Sequence, residues 1–530
     1  MLFKFSLRAK YIICPPFIWA FPSIINSDIS RETFNHEEIE RIDINQGVPI
    51  TIKIMTMTSE LRRRTKLREQ NVRPQMSSKK HKHSRKEFSI QTSLLCLILS
   101  GTILTLFGIL YIDSIPWHIG TFVIDKVAFN FGYHKPIYAV VIDAGSTGSR
   151  VLAYTFHESY IGSNLVLDKE LFKYNKVGLS SFVDNPNEGA KSLQVLLEEA
   201  KKEIPQKYWS NTTLLLKATA GLRLLPAKKA ENLLQSVRNL FELYPFMKGP
   251  NSVEIMDGTD EGIYSWFTVN YLLNRISANP SYTVAALDLG GGSTQVTFAA
   301  LAPSSLRHKD RLHFAPSPRG NIPVYTHSFL GLGLKAARHA ILTHNQGNST
   351  HIISECVNHI ITDQKFIYGN QVYYVSGPKE KFLTKQTNSN NIYLGEEVPV
   401  VNMVKCASII RNFVQKNSKP PEELPNKVIY AFSYYFDKAA EAGLIDPVTG
   451  GSVTLFDLKA AATDACQYPN VDQPFLCLDL SFIAILLENG LGLKPETPIN
   501  LFKKINGHEI SWALGAAYDS LRKDIHLINT

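Results

Sequence analysis

The longest uncharged stretch of the chain, Phe88 to Ile112 (FSIQTSLLCLILSGTILTLFGILYI), holds 25 residues without an Asp, Glu, Lys or Arg. As a helix it reaches roughly 37 Å at about 1.5 Å per residue, enough to cross a hydrocarbon core of about 30 Å. An earlier apolar stretch, Tyr11 to Ile25, is broken by Pro15, Pro16 and Pro22 and reads as neither span nor cleaved leader. Past the span the pattern changes to short β-branched runs. Ile137 to Ile142 (IYAVVI) and Arg150 to Phe156 (RVLAYTF) predict two strands joined by a turn of small residues, Asp143 to Ser149. Thr283 to Leu287 (TVAAL) and Gln295 to Ala299 (QVTFA) repeat the device around Asp288-Leu289-Gly290-Gly291-Gly292-Ser293-Thr294. Between the two hairpins, Thr213 to Lys217 reads as a strand running into ATAGLR (Ala218 to Arg223), with Pro226 placed to open a helix. Val253 to Met256 leads into DGTDEG (Asp257 to Gly262), and Ile263, Trp266, Phe267 and Tyr271 then follow helical spacing.

The 530 residues, 44% of them apolar with 28 Phe and 22 Tyr, exclude a single small module and a globally disordered chain. The net charge of +9 invites a nucleic-acid reading until it is located. Arg62 to Lys86 holds eleven Lys/Arg against Glu69 alone, and residues 113–530 are left at about +1. A basic run directly before an apolar span sets topology: the N-terminal arm stays cytosolic and the rest faces a lumen or the outside, as in a type II signal-anchor. Of six cysteines, Cys14 and Cys96 fall in the arm and the span. The four beyond it suit an oxidising compartment. Those four permit three connectivities; pairing Cys356 with Cys406 and Cys466 with Cys477 closes the shortest loops. Asn211-Thr212-Thr213 and Asn348-Ser349-Thr350 are glycosylation sequons, lumenal in this topology.

Glycines allow backbone amides to approach an anion, and Ser and Thr add donors, so both turns suit phosphate. Neither fits a Walker loop or a dinucleotide fingerprint, because strand composition, not a helix, follows each. Either turn alone is compatible with an ordinary glycine-rich hairpin. As a pair, each opening on an aspartate after an apolar strand, they present Asp143 and Asp288 to one cleft, where two carboxylates can hold a hydrated divalent cation against phosphate oxygens. Glu261 falls in the first turn of a helix, a place explained by capping and dipole complementarity, or by a base that takes the proton of an attacking water.

VIDAGSTGSR (Val141 to Arg150), ATAGLR (Ala218 to Arg223), DGTDEGIYSW (Asp257 to Trp266), LDLGGGSTQ (Leu287 to Gln295) and ISWALGAAY (Ile510 to Tyr518) resemble, in order, the five apyrase conserved regions of the ecto-nucleoside triphosphate diphosphohydrolases. The resemblance implies an α/β fold of two RNase H-like lobes of the actin/Hsp70/hexokinase type, with the nucleotide between them, preceded by the transmembrane helix. The expected order is a cytosolic arm (1–87), signal-anchor (88–112), stem (113–135), lobe one (136–285 with 505–530) and lobe two (286–504). It further implies Glu261 as general base, with Ser293 and Gln295 orienting the nucleophile or terminal phosphate. Asp143 and Asp288 would position Ca2+ or Mg2+ largely through water, with Thr219 assisting. Ser146, Thr147, Gly148, Gly291 and Gly292 would grip the phosphates and Arg223 would also bind the nucleotide; Trp512 and Tyr518 are candidates beside the nucleobase, with aromatic core packing explaining them equally well.

Gly148-Ser149 in the first motif, four lumenal cysteines and the lack of a C-terminal apolar span are similar to the single-anchor diphosphatase branch of the secretory pathway. That branch implies hydrolysis of GDP, UDP or IDP in preference to triphosphates, in a Golgi or related membrane, with a secreted form after cleavage compatible with the design. A nucleotide-binding module without efficient hydrolysis, and an exopolyphosphatase or sugar kinase, share the fold and stand as alternatives. Oligomeric state has no signature here, no nucleic-acid partner is expected, and residues from about 364 to 398 are expected as loop around the cleft entrance.

Overall fold

The computed structural model describes residue 95, residues 97–105, a few residues between 125 and 133, and residues 135–529 apart from 146–147, 160–163, 277–278, 318–320, 370, 388–392 and 469. Two mixed sheets organise this α/β chain. The first orders β3-β2-β1-β4-β5 from β1 (Ile137–Ala144), β2 (Ser149–Glu158), β3 (Leu165–Asn175), β4 (Thr213–Ala218) and β5 (Val253–Ile255). β1 and β2 are the expected hairpin, while β4 and β5 join in parallel.

The second sheet repeats that plan with β6 (Ala285–Leu289), β7 (Ser293–Ala299), β8 (Leu312–Ala315) and β9 (Ile322–Leu330). A small sheet of β10 (His351–Ile353), β11 (Gln364–Tyr368) and β12 (Gln371–Ser376) and a hairpin of β13 (Leu383–Thr387) and β14 (Tyr393–Pro399) follow. The chain then returns through β15 (Ile429–Ser433), β16 (Gly451–Thr454) and β17 (Pro498–Leu501), giving the order β16-β17-β15-β6-β7-β9-β8. Its β9-β7-β6-β15-β17 portion has the same antiparallel and parallel pairings as β3-β2-β1-β4-β5. The expectation of loop over 364–398 is corrected: four strands occupy it, and Gly369 at φ +58° turns β11 into β12.

Side-chain alternation along the strands decides what faces what. Tyr138, Val140 and Ile142 of β1 pack outward against helices Gln194–Glu203 and Ala227–Phe241. Ala139 and Val141 face the opposite way, into a core formed with helices Gly258–Leu272 and Trp512–Asn529. In β6, Ala285, Leu287 and Leu289 join the outer core of the second sheet, while Ala286 joins the same central core as Ala139. The two helices are therefore held between the inner faces of both sheets. Trp266 and Phe267, at most 2% exposed, anchor that layer, and burying each contributes about 2–3 kcal/mol. Parity then carries Asp143 and Asp288, each at the C-terminal end of its strand, to the inner faces as well.

The disulfides Cys356–Cys406 and Cys466–Cys477 are present, both in the outer core of the second sheet. Asn211 and Asn348 are exposed. Of the expected span, residues 95 and 97–105 are described, as helix with exposed leucines at Leu97, Leu99 and Leu104; the rest lies outside the described residues. Among the described residues no helix is long and apolar enough to cross a membrane.

Candidate functional site

Both hairpins close their turns alike: the Gly145 amide donates to the Gly148 carbonyl at 3.0 Å, and the Gly290 amide to the Ser293 carbonyl at 3.0 Å. Ser146 and Thr147 lie outside the described residues; Gly148 is buried at the end of the first turn. In the second turn the helix Leu334–Leu342 holds the carbonyls. Leu334 donates to Gly290 at 2.9 Å, Lys335 and Ala336 donate to Gly291 at 3.0 Å, and Gly331 donates to Gly292 at 2.8 Å. A trans peptide sets each carbonyl opposite the next amide, so the N–H groups of Gly291, Gly292 and Ser293 are turned away from those donors. Successive amides released in this way form an anion-binding concavity. Gly292 also sits against the helical turn Ala220–Arg223, where a Cβ would come within 2.9 Å of the Ala220 methyl, so only glycine brings the two motifs this close.

The helix Gly258–Leu272 supplies the acid. Asp257 caps it by accepting from the Thr259 amide at 2.7 Å, which leaves Glu261 in the first turn. Gly262 allows the helix to lie on β7 and β9, since a Cβ there would meet Thr297 Oγ1 at 2.7 Å. Glu261 is 7% exposed and pairs through Oε2 with the Arg223 guanidinium. The Gln295 amide nitrogen lies 3.0 Å from the same oxygen, 2.8 Å from Ser293 Oγ and 2.9 Å from Ser328 Oγ. Gln295 Oε1 is buried with no partner among the described residues, a spare acceptor within this group. Burial pushes the Glu261 carboxyl up to about 8; Arg223 opposes this, and Asp288 and Asp143 reinforce it.

Asp143 accepts from Arg150 Nη1 at 2.9 Å through Oδ2, while its Oδ1 is buried without a partner among the described residues. Asp288 accepts from Ser265 Oγ at 3.3 Å and from Ser433, and burial raises it to about 6. Asp143 is raised too, by burial against the pull of Arg150. Asp288 and Glu261 each feel the charge of Asp143, so the three carboxylates share one field. Thr219 is buried where β4 ends, its amide 3.4 Å from the Ala144 carbonyl.

A family model described as GDA1/CD39 (nucleoside phosphatase) matches residues 133–529. The chain belongs to this family of nucleoside phosphatases. It is 38% identical over 416 residues to the human nucleoside diphosphate phosphatase ENTPD5, covering 77% of this chain and 92% of that one. It is 37% identical over 401 residues to the ectonucleoside triphosphate diphosphohydrolase 6 of Rattus norvegicus, covering 74% and 84%. The solved structure of nucleoside triphosphate hydrolases from Neospora caninum shares the fold, with a TM-score of 0.50 at 16% identity over 77% of this chain and 97% of that one.

In this nucleoside phosphatase, Glu261, Ser293 and Gln295 form one hydrogen-bonded group, flanked by Asp143, Asp288, Thr219 and the Gly291–Gly292 amides. Arg223, expected to bind the nucleotide, pairs with Glu261. Trp512 and Tyr518, expected beside the base, are 3% and 5% exposed in the central core. Tyr518 packs on Phe267 at 4.7 Å and Tyr271 at 5.6 Å, so core packing is the role its geometry carries. Sequence reasoning missed Arg150, Ser328 and Ser433; their register opposite or beside the site residues was the available signal.

The residues fit a divalent cation. Asp143 Oδ1 is a buried oxygen without a donor, beside a second carboxylate, which is the hard-oxygen chemistry Ca2+ and Mg2+ prefer. Among the described residues no three or more His, Cys, Asp or Glu converge as a metal cage. Two carboxylates suit an ion that keeps most of its waters.

Proposed function

We propose that this nucleoside phosphatase hydrolyses the terminal phosphate of nucleoside diphosphates, GDP, UDP or IDP in preference to triphosphates, from the lumenal side of a secretory-pathway membrane. The observation that carries the chemistry is the buried Glu261–Gln295–Ser293 group, joined through Ser293 to the glycine turn whose carbonyls are held on one side. The preference for diphosphates and the membrane rest on the likeness to the human nucleoside diphosphate phosphatase and on the uncharged stretch 88–112. In this reading residues 136–285 with 505–530 and residues 286–504 close on the nucleotide as the two lobes of an actin/Hsp70/hexokinase-type clamp.

Amides at Gly148, Gly291 and Gly292 bind the phosphates in place. A water between Glu261 and Gln295 donates one hydrogen to each, to the carboxylate and to the unpartnered Oε1, so that a lone pair points at the terminal phosphorus. As the P–O bond to water forms and the bond to the bridging oxygen breaks, Glu261 takes the proton and the nucleoside monophosphate leaves with inorganic phosphate. Ser293 and Ser328 fix the Gln295 side chain. Asp143 and Asp288, with Thr219 nearby, would hold a divalent cation, which would supply charge neutralisation to the phosphate oxygens.

The test is phosphate release by the purified full-length protein from GDP, UDP, ADP, ATP and polyphosphate, with Ca2+, with Mg2+ and with chelator. Release from GDP and UDP above ATP, abolished by chelator, is expected. Activity on polyphosphate alone, or undiminished activity in chelator, overturns the reading.

A further inference from the structure

Arg150 stands directly opposite Asp143 across β1 and β2, and the same position in the second hairpin, opposite Asp288, is Gln295. The two pairs behave differently. Gln295 turns to Glu261, Ser293 and Ser328, leaving Asp288 to hydroxyl donors. Arg150 stays on its aspartate, Nη1 to Oδ2 at 2.9 Å. The quasi-twofold plan thus places a full positive charge on one of the two cation-side carboxylates and none on the other.

Exposure separates the members of the pair: the Asp143 side chain is 8% exposed and that of Arg150 37%. The aspartate is fixed within the cleft wall, whereas the Arg150 side chain is partly exposed beside it. It lies in the fields of Asp288 and Tyr434 as well, so it sits over the cleft rather than beside the first sheet alone. A Cβ on Gly145 would come within 3.3 Å of Arg150 Nη1, which places that group directly over the phosphate turn.

We propose that Arg150 is a resident counter-cation that neutralises Asp143 until the divalent cation arrives and then carries its guanidinium to the terminal phosphate of the nucleotide. The inference rests on the reading that Asp143 and Asp288 position the cation. A guanidinium and a divalent ion compete for the same carboxylate and repel each other once both are near it. The planar fork released by that repulsion matches phosphate oxygens, and the phosphate turn lies beneath it. Cation and nucleotide binding become linked, each raising the affinity for the other through one side chain.

Mn2+ binding to the full-length protein is followed by electron paramagnetic resonance. Binding of the α,β-methylene analogue of GDP is followed by calorimetry, with and without Mn2+. Arg150→Met is expected to bind Mn2+ alone about fivefold more tightly, since a competing charge at contact distance is gone. It should bind the analogue on the order of tenfold more weakly, with the Mn2+ enhancement reduced. Arg150→Lys, which keeps the charge but not the fork, holds Mn2+ affinity near the parent and recovers part of the analogue affinity. The opposed signs are the signature, because an arginine that only braces Asp143 would weaken both ligands when removed. Mn2+ affinity unchanged or lowered in Arg150→Met overturns the inference. Mn2+ binding that survives Asp143→Asn and Asp288→Asn undiminished overturns the underlying cation reading instead.

Discussion

The Arg223 guanidinium pairs with Glu261 through Oε2, the oxygen that also lies 3.0 Å from the Gln295 amide nitrogen. Oε1 is left for the proton of an attacking water. Two donors on one oxygen hold the carboxylate in a single orientation and oppose its neutralisation by burial. Glu261→Gln keeps the shape and removes the proton acceptor. We expect kcat for GDP to fall about a hundredfold or more while KM changes little. Phosphate release close to that of the parent would show that another group takes the proton.

The raised carboxyls give the ligand-free protein a pH dependence whose direction is fixed. Glu261 moves from 4.5 to about 8 and Asp288 from 3.8 to about 6 on folding. Their contribution to folding is fully present below the unfolded values and is lost as pH rises through about 6 and then about 8. The melting temperature without cation should therefore fall from pH 5 to 9, and Glu261→Gln should flatten the upper part of the fall. Added divalent cation restores part of the loss by favouring the charged aspartates. Activity runs the other way, because the base acts as a carboxylate: kcat/KM rises toward alkaline pH. A melting profile in which the parent and Glu261→Gln run parallel across this range would contradict the assignment.

Both hairpins were legible in the sequence because β-branched runs and small-residue turns carry their own signals, and strand parity then places Asp143 and Asp288 on inner faces. Glu261 was legible through the helical spacing of Ile263, Trp266 and Phe267 behind it. Arg150 and Ser328 were not, because their roles arise from cross-strand register, which is known only once strands pair. Trp512 and Tyr518 sit in a motif that reads as functional. The sequence left nucleobase contact and core packing equally open for both, and the packing of the Trp512–Asn529 helix between the sheets puts their rings in the core. The strands of residues 364–399 were hidden by short length and mixed polarity, features that tertiary pairing overrides.

Both disulfides lie in the outer core of the second sheet, closing separations of 50 and 11 residues. Loop-closure entropy assigns about 4 kcal/mol to the longer and about 3 kcal/mol to the shorter. Cys466→Ser/Cys477→Ser should lower the denaturation midpoint and expose helix Leu455–Gln467 to hydrogen exchange. Protection of helix Ala227–Phe241, in the other sheet's outer core, should be less affected. Equal loss of protection in both helices would show that the two sheets and their outer cores unfold as one unit.

Ser433 ends β15 at φ +57° and ψ −129°, a backbone conformation that side chains other than glycine rarely adopt, and its hydroxyl bonds Asp288. The position is exposed at the cleft, one residue beyond Phe432, which pairs with Asp288 across the sheet. Strain of this kind costs about 1–3 kcal/mol and persists where the surroundings impose it. Two substitutions separate backbone from hydroxyl. Ser433→Gly and Ser433→Ala both remove the donor from Asp288, so both should need more divalent cation for half-maximal activity, by a similar factor. Only glycine relieves the backbone, so the Gly variant should melt above the Ala variant. Cation requirements equal to the parent in both variants would remove Ser433 from the site. Equal melting temperatures would show that the left-handed conformation carries no strain.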